Sequence, residues 1–99
     1  MQTRVNLIGN KWRPLILHDL LGNGAMRFKE LQRNVGGVSQ KVLTANLREM
    51  GDAGLVLRRI YPEVPPRVEY LLTEEGQSLK SVIDAMWKWG ESYQARAEG

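Results

Sequence analysis

Hydrophobic positions recur at helical spacing, in blocks broken by glycines, as far as Leu55, where the spacing becomes strand-like. In "KWRPLILHDLLGNG", Leu17, Leu20 and Leu21 recur at helical steps and Pro14 is tolerated in a first turn. Gly22-Asn23-Gly24 stops that run, and "AMRF" reads as a short extended link. In "FKELQRNV", Phe28, Leu31 and Val35 stand at i, i+3 and i+7, one apolar stripe on a short helix that Gly36-Gly37 breaks. Ser39 then occupies an N-cap position, where its hydroxyl can accept from an early backbone N–H. The helix it opens runs to about Ala53, with Gly54 at the left-handed position beyond it.

This third helix has two distinct faces. Projected at about 100° per residue, Leu43, Leu47 and Met50 fall within about 60° of one another, with Val42 on the far flank. Lys41, Thr44, Ala45 and Arg48 occupy the opposite arc, and Gln40 lies at the seam, close to Leu47. Two short helices joined by a glycine turn, the second capped by Ser and presenting an outward polar face, describe a helix-turn-helix. The polar face is then a recognition surface. Lys and Arg pair with guanine, Gln with adenine, and Thr with a base edge or a phosphate. The plainer alternative is an ordinary solvated face.

The pattern changes after Gly54. "LVLRRIY" and "RVEYLL" are rich in β-branched and aromatic residues and alternate as strands. "PEVPP" between them, with three prolines, is a stiff loop and neither helix nor central strand. A helix-turn-helix followed by a two-stranded ribbon is a winged helix, so the expected fold class is mainly α with a small β-wing. Arg58, Arg59 and Arg67 lie at the base or flank of that wing, within reach of a phosphate backbone or minor groove. Thr73 caps the next helix, with Glu74 and Glu75 favourable in its first turn. The final helix carries Leu79, Val82, Met86, Gly90 and Tyr93 at three- and four-residue steps, widened by Ile83, Trp87 and Trp89. One reading folds this surface back on the chain's own core. The other, favoured for its Trp and Tyr content, makes a homodimer interface of Leu79, Val82, Ile83, Met86, Trp87, Gly90 and Tyr93.

Composition adds constraints. Ninety-nine residues, 42% of them hydrophobic, make a single domain over 1–99 with a small core. With no cysteine, disulfides and thiol chemistry are excluded. No apolar run suits a bilayer span or a signal peptide, so the expectation is a soluble cytoplasmic protein with no membrane partner. The net charge of +3 is modest, but eight bases face five acids between Arg27 and Glu69, while six of each cancel elsewhere. A basic excess confined to the helix-turn-helix and wing points to a polyanion, of which double-stranded DNA is the expected partner. On charge alone, a solvated surface with scattered charge is the favoured reading.

At this point the sequence resembles the HxlR-type winged helix-turn-helix regulators of bacteria and archaea. The match runs from about Leu7 to the final helix, on Gly9, Lys11-Trp12, Arg27-Phe28, Glu30-Leu31, Ser39, Leu43-Thr44 and Leu47-Arg48. Its most specific part is the wing: Tyr61-Pro62, Val64-Pro65-Pro66, Arg67-Val68, Glu69-Tyr70, Leu72-Thr73 and Gly76. The resemblance implies a homodimeric, sequence-specific DNA-binding transcriptional regulator. Its second motif helix would enter the major groove, its wing would touch flanking DNA, and its terminal helices would make the dimer. The DNA-contacting set is then Ser39, Gln40, Lys41, Thr44, Arg48, Arg58, Arg59 and Arg67. Two departures matter. Some members sense oxidants through an N-terminal cysteine, which this chain lacks, and few residues precede Gly9, so the final helix is expected to carry more of the interface.

Other functions fit less well. His18 and Asp19 are sequence neighbours and diverge by about 100° on a helix, so they form no catalytic pair. No glycine stretch is followed by the Lys-Ser/Thr of a P-loop, and one histidine without cysteine leaves no ordinary transition-metal set. Neither an enzyme nor a cofactor is expected. Trp12, Trp87, Trp89 and Tyr93 could line a pocket for a small-molecule effector at the dimer interface, or simply be core. The rival from another class is a winged helix used as a protein-interaction module, against which the clustered bases argue.

Overall fold

The computed structural model describes residues 11–98, with side chains described as far as Gly90. The segment before Lys11, including Gly9, and the side chain of Tyr93 lie outside the described residues. Among the described residues five helices and one hairpin follow in order: α1 Trp12–Asn23, α2 Phe28–Val35, α3 Gln40–Asp52, β1 Val56–Tyr61, β2 Arg67–Leu72, α4 Glu74–Gln77 and α5 Lys80–Glu98. This is the winged helix-turn-helix expected from the pattern.

The helix starts and stops follow local chemistry. Gly24 ends α1 at φ 77°, its N–H donating to the Leu20 carbonyl. The backbone N–H of Arg27 donates to Glu30 Oε1 at 2.9 Å, closing the start of α2. Gly36 and Gly37 both adopt positive φ, the region open to glycine without a Cβ penalty, and turn the chain toward α3. Gln32 Nε2 donates to the Val38 carbonyl at 3.2 Å across that turn. Ser39 Oγ accepts from the Val42 N–H at 3.1 Å, as its position predicts. At the other end Leu55 N donates to the Met50 carbonyl, and Gly54 takes φ 81°.

The core gathers one stripe from each helix and one face of the wing. Ile16, Leu17 and Leu20 of α1, Leu31 of α2, Leu43, Leu47 and Met50 of α3, and Val56 and Leu72 of the strands are all buried, joined by Ile83 of α5. Each fully buried aliphatic side chain contributes about 1.5–3 kcal/mol relative to exposure. The strands pair antiparallel, with Val56 opposite Leu72 and Tyr61 opposite Arg67. The link before α2 proves to be part of this sheet. Met26 and Tyr70 exchange both backbone hydrogen bonds, at 2.9 and 2.7 Å, so β2 is flanked on both edges.

After the wing two helices follow, the short α4 and the long α5. Thr73 Oγ1 accepts from the Gly76 N–H at 3.0 Å and caps the short α4. The turn then tightens at Ser78 and Leu79: Leu79 N donates to the Gly76 carbonyl, three residues back, and the Ser78 hydroxyl donates to the Glu75 carbonyl. This elbow re-aims the chain so that Leu79 and Ile83 meet the core.

The elbow is anchored to the turn that ends α3. Thr73 N donates to the Leu55 carbonyl at 3.0 Å and Thr73 Oγ1 donates to the Gly54 carbonyl at 2.6 Å. Gly76 sits directly against that same Leu55 carbonyl; a Cβ there would overlap the oxygen and press on Leu72 Cδ2. Gly76→Ala is therefore expected to destabilise the fold by about 1–3 kcal/mol or more, lowering Tm by about 4–8 °C per kcal/mol. Thermal unfolding followed by circular dichroism checks this, and an unchanged Tm would contradict the close approach.

Candidate nucleic-acid interface

The outward side of α3 is a continuous polar surface. Gln40, Lys41, Thr44, Ala45 and Arg48 line one shallow depression of about 550 Å³, so four of the expected contact residues share a single face. All four are exposed. Lys41 and Arg48 have no ion-pair partner among the described residues. Ser39 is exposed at the helix start, where its oxygen serves the cap.

What fixes the direction of this face is a polar cluster that the hydrophobic pattern does not reveal. Asn46 is 4% exposed on the inner side of α3. Its Nδ2 donates to the Val42 carbonyl at 2.9 Å, and its Oδ1 accepts from Arg13 Nε of α1 at 3.2 Å. The same guanidinium reaches Glu49 through Nη2, forming an ion pair. A signal for this existed. Asn46 projects into the apolar arc of the helix, between Val42 and Met50, and a buried carboxamide requires partners. The identity of the partner, 33 residues away, is not local information.

The wing separates the three expected arginines. Alternate residues of a strand face opposite sides, and cross-strand partners share a side. Arg58 therefore lies on the side of Val56 and of its partner Tyr70, which is the core side. Arg59, Tyr61 and Arg67 lie on the other side, with Glu69 opposite Arg59. There Arg59 Nη1 donates to the Tyr61 hydroxyl at 3.2 Å, a bond that raises the Arg59 pKa above the usual arginine value. Arg67 covers the Tyr61 ring at 4.0 Å and pairs with Glu63 at 3.2 Å. Arg58 instead borders a groove of about 550 Å³ between α3 and β1, together with Thr44 and Arg48.

Helix α5 divides the residues expected in a dimer seam. Leu79, Ile83 and Trp87, at four-residue steps, turn to the chain's own core. Ile83 is 4% exposed in the single chain, so association can remove little more of its surface. Trp87 stacks on His18 of α1 with ring centroids 3.8 Å apart and the ring planes nearly parallel, which gives His18 a packing role. Asp19 beside it bonds to Asn23, and burial, the largest influence on its carboxyl, pushes that pKa up. Val82 and Met86 face outward with Trp89, all exposed, and Gly90 is half-buried. Among the described residues no group of His, Cys, Asp and Glu could hold a metal ion. No helix there is long and apolar enough to cross a membrane.

Comparison with known proteins agrees with this geometry. Residues 7–98 match the family described as HxlR-like helix-turn-helix. An uncharacterized HTH-type transcriptional regulator of Methanothermobacter thermautotrophicus is 45% identical over 98 residues, covering 99% of this chain and 74% of that protein. The HTH-type regulator YkvN of Bacillus subtilis is also 45% identical, covering 94% of this chain and 80% of that protein. Among solved structures, the redox regulator HypR in its reduced form superposes with a TM-score of 0.85 at 37% identity. That superposition covers 98% of this chain and 95% of HypR.

Proposed function

The chain belongs to the HxlR-like helix-turn-helix family of transcriptional regulators, and from that membership we propose a sequence-specific regulator that acts as a homodimer on double-stranded DNA. Such regulators are non-enzymatic DNA-binding proteins. The observation that carries the proposal is the exposed face of Gln40, Lys41, Thr44 and Arg48 on a helix whose inner face is fully engaged. In this reading α3 lies in the major groove with its N-terminal half at the base edges, while Ser39 and Arg58 at the base of the wing serve the backbone. The interaction-module alternative has no use for two unpaired cations and a glutamine on one face.

Gln40 is the cleanest test of reading, because it is uncharged and its removal leaves the phosphate contribution alone. Gln40→Ala is expected to reduce discrimination between the preferred site and a scrambled duplex by about 1–3 kcal/mol. Gel-shift titrations on both duplexes measure it. Full discrimination by the variant would remove Gln40 from the reading set.

The homodimer is supported by the outward Val82, Met86 and Trp89 of α5. Dimeric helix-turn-helix proteins place two recognition helices on half-sites about 34–36 Å apart. Leu79, Ile83 and Trp87 would back this seam from within each chain, and Gly90 and Tyr93 would extend it. Met86→Glu would bury a charge in the seam without touching the chain's own core, at a cost of several kcal/mol. Sedimentation at micromolar concentration should show a dimer for the unmodified chain and a monomer for the variant. A monomer for the unmodified chain would overturn the interface.

The proposal includes a response to a small-molecule effector and a cytoplasmic site of action. Relatives described as redox regulators support a signal-responsive protein. Within these 99 residues there is no cysteine, so thiol oxidation of this domain is not the input.

A further inference from the structure

The two neighbouring arginines of β1 have different surroundings. Arg59 is bonded to the Tyr61 hydroxyl and stands opposite Glu69. Arg67, on the same side, is held by Glu63 and the Tyr61 ring, and its Nε is buried. Arg58 points to the other side and has no ion-pair partner among the described residues. It borders the groove between α3 and β1 with Thr44, Arg48, Asp52, Val56 and Tyr70.

We infer that this groove seats one backbone phosphate of bound DNA, held by Arg48 and Arg58 from its two walls with the Thr44 hydroxyl between them. The inference rests on the DNA-binding reading above and adds a division of labour within the wing: Arg58 holds the phosphate, while Arg59, Tyr61, Glu63 and Arg67 brace the hairpin. Two guanidinium groups against the single carboxylate of Asp52 leave the groove positive. Its apolar floor of Leu47 and Val56 lowers the local dielectric and strengthens a charge–phosphate contact relative to open solvent. Guanidinium forks suit phosphate oxygens, and Thr supplies a donor of the kind found at DNA backbones. Position supports the same occupant. Thr44 and Arg48 border both the outward depression and this groove, so they form the ridge between them. A duplex whose bases meet Gln40 and Lys41 carries its backbone over that ridge toward Arg58.

The test compares the unmodified protein with Arg58→Ala, Arg58→Lys and Arg59→Ala by fluorescence anisotropy. The probes are a labelled duplex selected by the unmodified protein and its scrambled counterpart, over about 50–200 mM KCl. Arg58 and Arg59 are both exposed, so neither change threatens the core. Arg58→Ala is expected to weaken binding to both duplexes by a similar factor. It should flatten the log–log salt slope by about 0.9 per protomer and so by about 1.8 for a bound dimer, the share of two phosphates left unneutralised, equivalent to about twelvefold across that salt range. Arg58→Lys should restore the slope, and Arg59→Ala should leave it unchanged. An Arg58→Ala slope equal to that of the unmodified protein, or an equal flattening in Arg59→Ala, would overturn the seat while leaving DNA binding intact. A flat slope for the unmodified protein would overturn the DNA-binding reading itself and the seat with it.

Discussion

One buried carboxamide governs the direction in which α3 presents its polar face. Asn46 uses its amide on the Val42 carbonyl and its oxygen on Arg13, which also pairs with Glu49. Rolling α3 about its axis would strand this group away from water, at about 1–3 kcal/mol. It would also draw Leu43 and Leu47 out of the core. The apolar stripe alone would tolerate a range of rolls; the hydrogen bonds narrow that range. The outward display of Gln40, Lys41, Thr44 and Arg48 is thus a consequence of what the inner face cannot give up.

The same contact makes α1 a lever between the two ends of the chain. Arg13 near its start holds α3, and His18 one and a half turns later stacks on Trp87 of α5. At the far end of α3, the Gly54-Leu55 carbonyls receive Thr73, and Gly76 packs against Leu55. Helix α3 is therefore tied to α5 by two separate routes. In a dimer joined through α5, these ties would hold the two α3 helices at a set separation. An effector bound near α5 would act on DNA through the same routes.

Much of this architecture was legible in the sequence because it is locally encoded. Ser39 and Thr73 cap helices, Gly24, Gly36 and Gly54 take positive φ, and the strand alternation ends at the prolines. The inward stripe of α3 and its opposite polar face also follow from residue spacing alone. What spacing could not supply were relations between distant residues. Met26 joins the sheet only because Tyr70 lies beside it, and Asn46 bonds across the fold to Arg13 as well as to its own helix. The apolar surface of α5 reads as one broad stripe; burial divides it into an inward Leu79-Ile83-Trp87 line and an outward Val82-Met86-Trp89 line. Arg58, Arg59 and Arg67 read as one basic group, but strand pairing puts Arg58 on the opposite side from the other two.

The central claim is that α3 reads bases in the major groove from two symmetric copies. Dimethyl sulfate footprinting on a duplex selected by the protein tests it directly. The reagent methylates guanine N7, which lies in the major groove, and adenine N3, which lies in the minor groove. The account requires protected guanine N7 positions in two patches about 10–10.5 base pairs apart, or a multiple of that spacing. Protection confined to adenine N3, or a bound complex with no protected guanine N7, would contradict it.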